Sequence, residues 1–206
     1  MKFAVKAWSN GGARAGILHL GTSTIDTPSL LLSTRKGLPH FISPDLLSCL
    51  PSPEDSIQCL PEANSTNKIG ASFETPCGRL LIKPVEYTEM ISSTRPELWA
   101  TLADEVPAWV SDKRNKTSVD RTIKWLDECI SLSPASGAVF GAIVGGSSLE
   151  ERRRCAQEVA TRKVSGYWVG GLGLGESMDE RPALLNAVIE ALPEEKPRLI
   201  CGLGLP

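Results

Sequence analysis

The sequence predicts an α/β fold, a TIM-type (β/α)8 barrel that is incomplete and has a β-rich N-terminal entry. In the second half of the chain, short apolar strands alternate with segments of helical spacing, and glycine-containing loops follow most of the strands. Repeated strand–loop–helix units of this kind predict a parallel sheet with helices packed outside it. The first half instead carries strand-like runs separated by turn residues.

The β-rich entry is predicted from three runs, at residues 3–8, 15–20 and 29–33. Asn10-Gly11-Gly12 forms the turn between the first two, and Asp26-Thr27-Pro28 is interpreted as a polar turn before the third. Residues 44–50 are expected to form a short helix. Residues 70–74 and 79–83 are expected to form a hairpin around Pro76-Cys77-Gly78.

The repeated units follow from residue 84 onwards. The predicted strands are residues 99–102, 138–144, 167–169 and 198–201. The predicted helices are residues 84–93, 117–132, 149–162 and 179–192. Ser147 or Ser148 stands where an N-cap is expected, because a serine hydroxyl can accept a hydrogen bond from the first turn of a helix.

Two closed architectures fit these units, a doubly wound sheet and an eight-stranded barrel. No G-x-G-x-x-G motif follows the first strand, which weakens the dinucleotide-binding alternative. A complete barrel takes about 250 residues, and the chain has 206. We therefore expect a single domain over residues 1–206 that lacks the closing βα unit.

Composition narrows the class of protein. The net charge is −2, which does not fit a nucleic-acid binder that relies on a strong general positive field. No apolar run is long enough for a membrane helix, and the N-terminus has no signal-peptide core, so a cytoplasmic protein is expected. The six cysteines are scattered without zinc-site spacing, which favours buried structural thiols.

Candidate binding residues lie where the predicted strands end, because chemistry gathers at that edge of a barrel. Asp104 follows one strand, Gly145 and Gly146 follow the next, and Gly170 and Gly171 follow the third. A carboxylate beside bare backbone can hold a purine-like base. Each feature also has a structural interpretation, since a strand-end Asp often binds loop amides and paired glycines often relieve crowding.

Several motifs from Pro84 onwards agree in order and spacing with one known family. They are Gly-Ala-Ile-Val-Gly-Gly at 141–146, Glu-Arg-Arg-Arg-Cys-Ala at 151–156, Gly-Tyr-Trp-Val-Gly-Gly-Leu-Gly-Leu-Gly-Glu at 166–176 and Leu-Pro-Glu-Glu-Lys-Pro-Arg-Leu-Ile-Cys-Gly at 192–202. In these the chain resembles the tRNA-guanine transglycosylases. Residues 29–37 and 118–121 are more similar to the non-catalytic eukaryotic subunit of that family than to the catalytic one.

The resemblance implies exchange of guanine for queuine at the tRNA wobble position. It also implies a base pocket built from an aspartate, a glutamine and backbone amides. The residues of this chain that remain of such a pocket are Asp104, Gly145, Gly146, Gly170 and Gly171. Residues 51–68 lack the family's Ser-Asp-Ser-Gly-Gly-Phe-Gln motif, and Val144 replaces the pocket glutamine. The nucleophile and the zinc ligands are expected beyond the last strand, so no catalytic or metal-binding residue is assigned.

We therefore expect a non-catalytic subunit that pairs with the catalytic queuine tRNA-ribosyltransferase subunit as a heterodimer and meets tRNA through that complex. Zinc is expected for the full-length family, without ligands in this chain. For the location, the resemblance also implies peripheral association with the mitochondrial outer membrane as an alternative to a purely cytoplasmic protein. The other functional hypotheses are a self-sufficient base-exchange transglycosylase and an unrelated α/β barrel that binds phosphate on its glycine-rich loops.

Overall fold

The computed structural model describes residues 1–10, 12–30, 32–35, 38–39, 43, 45–46, 49, 58–59, 65–75, 78–132 and 137–203. The chain divides into two compact units, Met1–Glu62 and Ala63–Pro206. A single domain over residues 1–206 stays a prediction.

The first unit begins with an antiparallel meander of three strands. They are β1 (Lys2–Trp8), β2 (Arg14–Leu20) and β3 (Ser23–Thr27), in the order β1-β2-β3. Leu18, Leu20 and Ile25 are buried, so β2 and β3 supply the apolar side of this meander. The strands expected at 3–8 and 15–20 are confirmed.

The expected third strand, at residues 29–33, is confirmed only at residues 32–33, where a strand begins that does not belong to the meander. The strand that completes the meander is β3, and it includes Asp26 and Thr27, which were interpreted as a turn. Threonine and isoleucine favour strands because their branched side chains fit a pleated surface. Pro28 follows directly and cannot donate to a ladder, so it is the end of the strand rather than the centre of a turn.

Three further short strands complete the described part of this unit. They are β4 (Leu32–Arg35), β5 (Leu38–Pro39) and β6 (Gln58–Cys59). β4 pairs antiparallel with β5 and parallel with β6. The short helix expected at 44–50 lies mostly outside the described residues.

The second unit opens with an antiparallel group formed by β7 (Ser65–Thr66), β8 (Ala71–Thr75) and β9 (Gly78–Ile82). The expected hairpin is therefore confirmed to within a residue. Helix α1 (Pro84–Thr94) follows at once. Glu86 accepts a hydrogen bond from the backbone N–H of Lys83 at 2.8 Å, which satisfies a donor that the helix start would otherwise leave free.

The core of the second unit is a four-stranded parallel sheet. Its strands are β10 (Leu98–Ala100), β11 (Ala138–Ile143), β12 (Gly166–Val169) and β13 (Arg198–Ile200), in the order β10-β11-β12-β13. Its helices are α2 (Asp112–Leu132), α3 (Leu149–Ala160) and α4 (Arg181–Ile189). All four expected strands are confirmed. Helix α2 begins five residues before the expected 117, and Ser148 is the N-cap of α3.

The sequential strand order distinguishes the two architectures that the sequence left open. Parallel strands joined by right-handed crossovers in one direction place all their helices on one face of the sheet. The contacts agree, because α2 packs on α3 and α3 packs on α4. A doubly wound sheet would reverse its order and carry helices on both faces. The described strands therefore form a half-barrel.

Two apolar clusters hold this unit together. One joins the hairpin, α1, β10 and α2, and its largest buried side chains are Trp99 and Trp125. The other lies between the sheet and helices α2 to α4, and includes Val144, Cys155 and Tyr167. Burial of this apolar surface is the main favourable term in the folding of such a unit.

Two buried thiols test this packing. Burial raises the pKa of Cys155 to about 11 and that of Cys129 to about 12, from an ordinary 9.0, because a thiolate is poorly solvated in an apolar core. We expect iodoacetamide to label exposed Cys49 in the native protein at mildly alkaline pH, and to label Cys129 and Cys155 only after unfolding. Peptide mass spectrometry is the measurement.

The same thiols give a pH dependence with a definite sign. Their folded pKa values are raised, so the stability they contribute is fully present below about pH 9. That stability is lost as the pH rises toward 11 and 12. Native labelling of both cysteines as fast as Cys49 would contradict the buried packing.

Candidate functional site

Asp104 lies four residues beyond the end of β10 and is fully buried. Helix α2 fixes its main chain. The backbone N–H of Asp104 donates to Thr122 Oγ1 at 3.0 Å, and the Ser118 hydroxyl donates to the carbonyl of Asp104. Ser118 and Thr122 are four residues apart on the buried side of α2, so one helix face positions the strand end.

Two arginines of α2 bind the Asp104 carboxylate. Arg114 forms a bidentate pair, Nη1 to Oδ2 at 2.8 Å and Nη2 to Oδ1 at 2.7 Å. Arg121 adds a bond from Nη1 to Oδ2 at 2.5 Å. The hydroxyl of Thr66, in β7, donates to Oδ1 and lies within 3.4 Å of both guanidinium groups. We call these four residues the Asp104 cluster.

The Asp104 cluster carries more positive than negative charge. Two guanidinium groups surround one carboxylate, and their charge-assisted hydrogen bonds occupy both carboxylate oxygens. Arg121 is only 14% exposed and Asp104 is 0% exposed, so the pair is poorly screened by water. The carboxylate that the sequence assigned to a base pocket therefore has its acceptor positions filled by the chain itself.

Arg152 is the second buried charge at this edge of the sheet. It lies on α3 in line with Cys155, Ala156 and Val159, the spacing of one helix face, and all four residues are buried. Burial lowers the pKa of Arg152 to about 10 against the opposing effect of Glu176 and Glu105. A pKa of that size leaves the guanidinium protonated at neutral pH.

The Arg152 guanidinium joins the loops after β11 and β12. Its Nε donates to the carbonyl of Gly146 at 2.7 Å, Nη1 to the carbonyl of Gly170 at 3.2 Å, and Nη2 to that of Gly171 at 2.6 Å. One side chain thus satisfies three buried main-chain acceptors on two neighbouring strand ends. An unpaired buried carbonyl costs about 1–3 kcal/mol, so this contact is a strong constraint on both loops.

The first glycine pair makes room for the chain's own side chains. Gly145 has φ +156°, and a Cβ there would come within 2.6 Å of the Arg152 backbone nitrogen. Gly146 has φ +53°, a left-handed conformation that favours glycine, and a Cβ there would press on Asn115 at 3.1 Å. Asn115 in turn donates to the Gly145 carbonyl at 2.7 Å.

In the second glycine pair, Gly170 is enclosed in the same way. A Cβ at Gly170 would overlap the ring of Trp168 and come within 2.7 Å of Glu105. Glu105 accepts a hydrogen bond from the Gly171 backbone N–H. The nearest atom to a Cβ at Gly171 would be Nη2 of Arg152, at 3.7 Å.

Glu176 completes the loop that follows. It accepts hydrogen bonds from the N–H groups of Gly173 at 2.6 Å and Leu174 at 3.0 Å, and from Arg181 Nε at 2.7 Å. Burial opposes ionisation, but these donors hold the pKa of Glu176 below its usual value. The backbone donors that a phosphate on this loop would need are bonded to Glu105 and Glu176.

The structure brings the five predicted residues to the ends of three adjacent strands, as the repeated units implied. It surrounds them with Arg114, Arg121, Arg152, Asn115 and Thr66, which the sequence interpretation did not assign. Their role as a base pocket stays a prediction.

Three of the missed residues had a sequence signal. Arg152 is a charged residue at a position where helical spacing predicts a core contact. Arg114 and Arg121 are seven residues apart, so both lie beside the buried stripe of α2. No sequence signal indicated that Thr66, in β7 and 38 residues before Asp104, would reach its carboxylate.

Neither a metal cluster nor a membrane span is found in the described part of the chain. No group of three His, Cys, Asp or Glu side chains there is placed to hold a metal ion. Zinc stays a prediction for the full-length family. None of the described helices combines the length and apolar character that crossing a bilayer requires.

The comparison with known proteins agrees with the motifs at the strand ends. Residues 52–206 match the family model described as queuine tRNA-ribosyltransferase. The chain belongs to the queuine tRNA-ribosyltransferase family.

Curated proteins similar to this chain include several described as queuine tRNA-ribosyltransferase accessory subunit 2. The protein of Trichoplax adhaerens is 29% identical over 100% of this chain and 69% of its own length. That of Xenopus tropicalis is 31% identical over 100% of this chain and 62% of its own length. The human protein is 33% identical over 90% of this chain and 46% of its own length. The chain thus spans about half to two thirds of the relatives it matches.

Neutralising Asp104 tests the Asp104 cluster. We expect Asp104→Asn to lower the free energy of unfolding by about 3 kcal/mol, because Arg114 and Arg121 lose the only carboxylate that they are described to contact. Asp127→Asn is the matched control, since Asp127 is 53% exposed in its pair with Arg162 and should cost under about 1 kcal/mol. Urea unfolding measures both, and equal losses would contradict the cluster's role.

Removing the Arg152 guanidinium tests the join between the two loops. We expect Arg152→Met to cost about 3–5 kcal/mol, because three buried carbonyls lose their donor. Arg153→Met, on the exposed side of the same helix, should change stability by less than about 0.5 kcal/mol. If the two variants unfold at the same urea concentration, Arg152 does not hold the loops.

Proposed function

We propose that this chain is a non-catalytic subunit of queuine tRNA-ribosyltransferase, which exchanges guanine for queuine at the tRNA wobble position. It would act by pairing with the catalytic subunit as a heterodimer, and would meet tRNA in that complex. The observation that carries the proposal is the Asp104 cluster, in which the carboxylate at the base-pocket position is bonded to the chain's own arginines.

The chemistry of that contact explains why it opposes base binding. The Watson–Crick edge of guanine presents two parallel N–H donors, from N1 and the 2-amino group, which together form a guanidine unit. Arg114 presents a fork of the same kind to Asp104, with donors at 2.7 and 2.8 Å. An internal guanidinium that is already positive and tethered competes directly with a neutral base for these oxygens.

The rest of the predicted pocket supports the same proposal. Val144 is 1% exposed and packs in the apolar cluster of the sheet, and its side chain has no group that can hydrogen-bond a base edge. The glycine carbonyls beside it accept from Asn115 and Arg152. A ligand would have to displace buried donors to reach this backbone.

The fold and the remaining assignments follow from family membership. We infer that the half-barrel is part of a TIM-type eight-stranded barrel, since its strands are sequential and its helices adjoin one another. Zinc is proposed for the full-length protein. A cytoplasmic location, with peripheral association at the mitochondrial outer membrane, is proposed as well.

Co-purification and base exchange test the proposal together. Tagged chain is co-expressed with the catalytic subunit of the same organism, and exchange of labelled guanine in tRNA is measured for each protein alone and for the complex. We expect the two to co-purify in equal amounts. Exchange by the chain alone should be at least ~100-fold below that of the complex, because Arg114 and Arg121 occupy the Asp104 carboxylate.

The alternative function gives the opposite pattern. A self-sufficient transglycosylase would exchange guanine without the partner and would lose that activity in Asp104→Asn. Either exchange by the chain alone, or failure to bind the catalytic subunit, would overturn the proposal.

A further inference from the structure

We draw no further inference here: the strongest candidate, the exposed apolar patch at the strand-end edge of the sheet where Trp109 is 77% exposed and its indole packs on Gly175, carries nothing because no described part of the structure shows what covers it.

Discussion

The buried Arg152 guanidinium is the contact on which the strand-end edge of the sheet depends. Buried backbone carbonyls are paired in native structures with backbone, side-chain or water donors. Here three of those carbonyls, on the loops after β11 and β12, accept from one side chain of α3. Glycine at 145, 146 and 170 follows from the space that Arg152, Asn115, Glu105 and Trp168 require, and glycine at 171 fits its left-handed φ of +66°.

At the neighbouring strand end, after β10, the Asp104 carboxylate is likewise bonded to the chain's own side chains. The members of the Asp104 cluster come from β7, from the segment after β10 and from α2, so a polar contact joins parts of the chain that are 38 to 55 residues apart. A scaffold built to bind and transform a base would keep such a carboxylate free. The chain instead keeps the carboxylate and neutralises it internally, which is the physical basis of the proposed non-catalytic role.

Regular structure with a clear period was predictable from the sequence, and side-chain partners were not. The four βα strands and their helices were found because their apolar spacing is local. The third strand of the meander was misplaced because Asp26 resembles a turn residue, although its neighbours are β-branched. Asp104 was identified as a strand-end carboxylate, but its partners depend on which face of α2 turns inward and on a distant threonine. Such contacts are fixed by tertiary packing and leave little trace in spacing.

The order of the parallel strands along the sheet is also their order along the chain. During synthesis on the ribosome, each emerging βα unit therefore finds its neighbour already present and adds to an edge that is ready to receive it. Each pairing still joins residues far apart in sequence, such as Leu98 with Ala138, and parallel pairing over such separations is slow. The Thr66–Asp104–Arg121 contacts wait in the same way, because the hairpin and α2 can be joined only after α2 itself has emerged and folded.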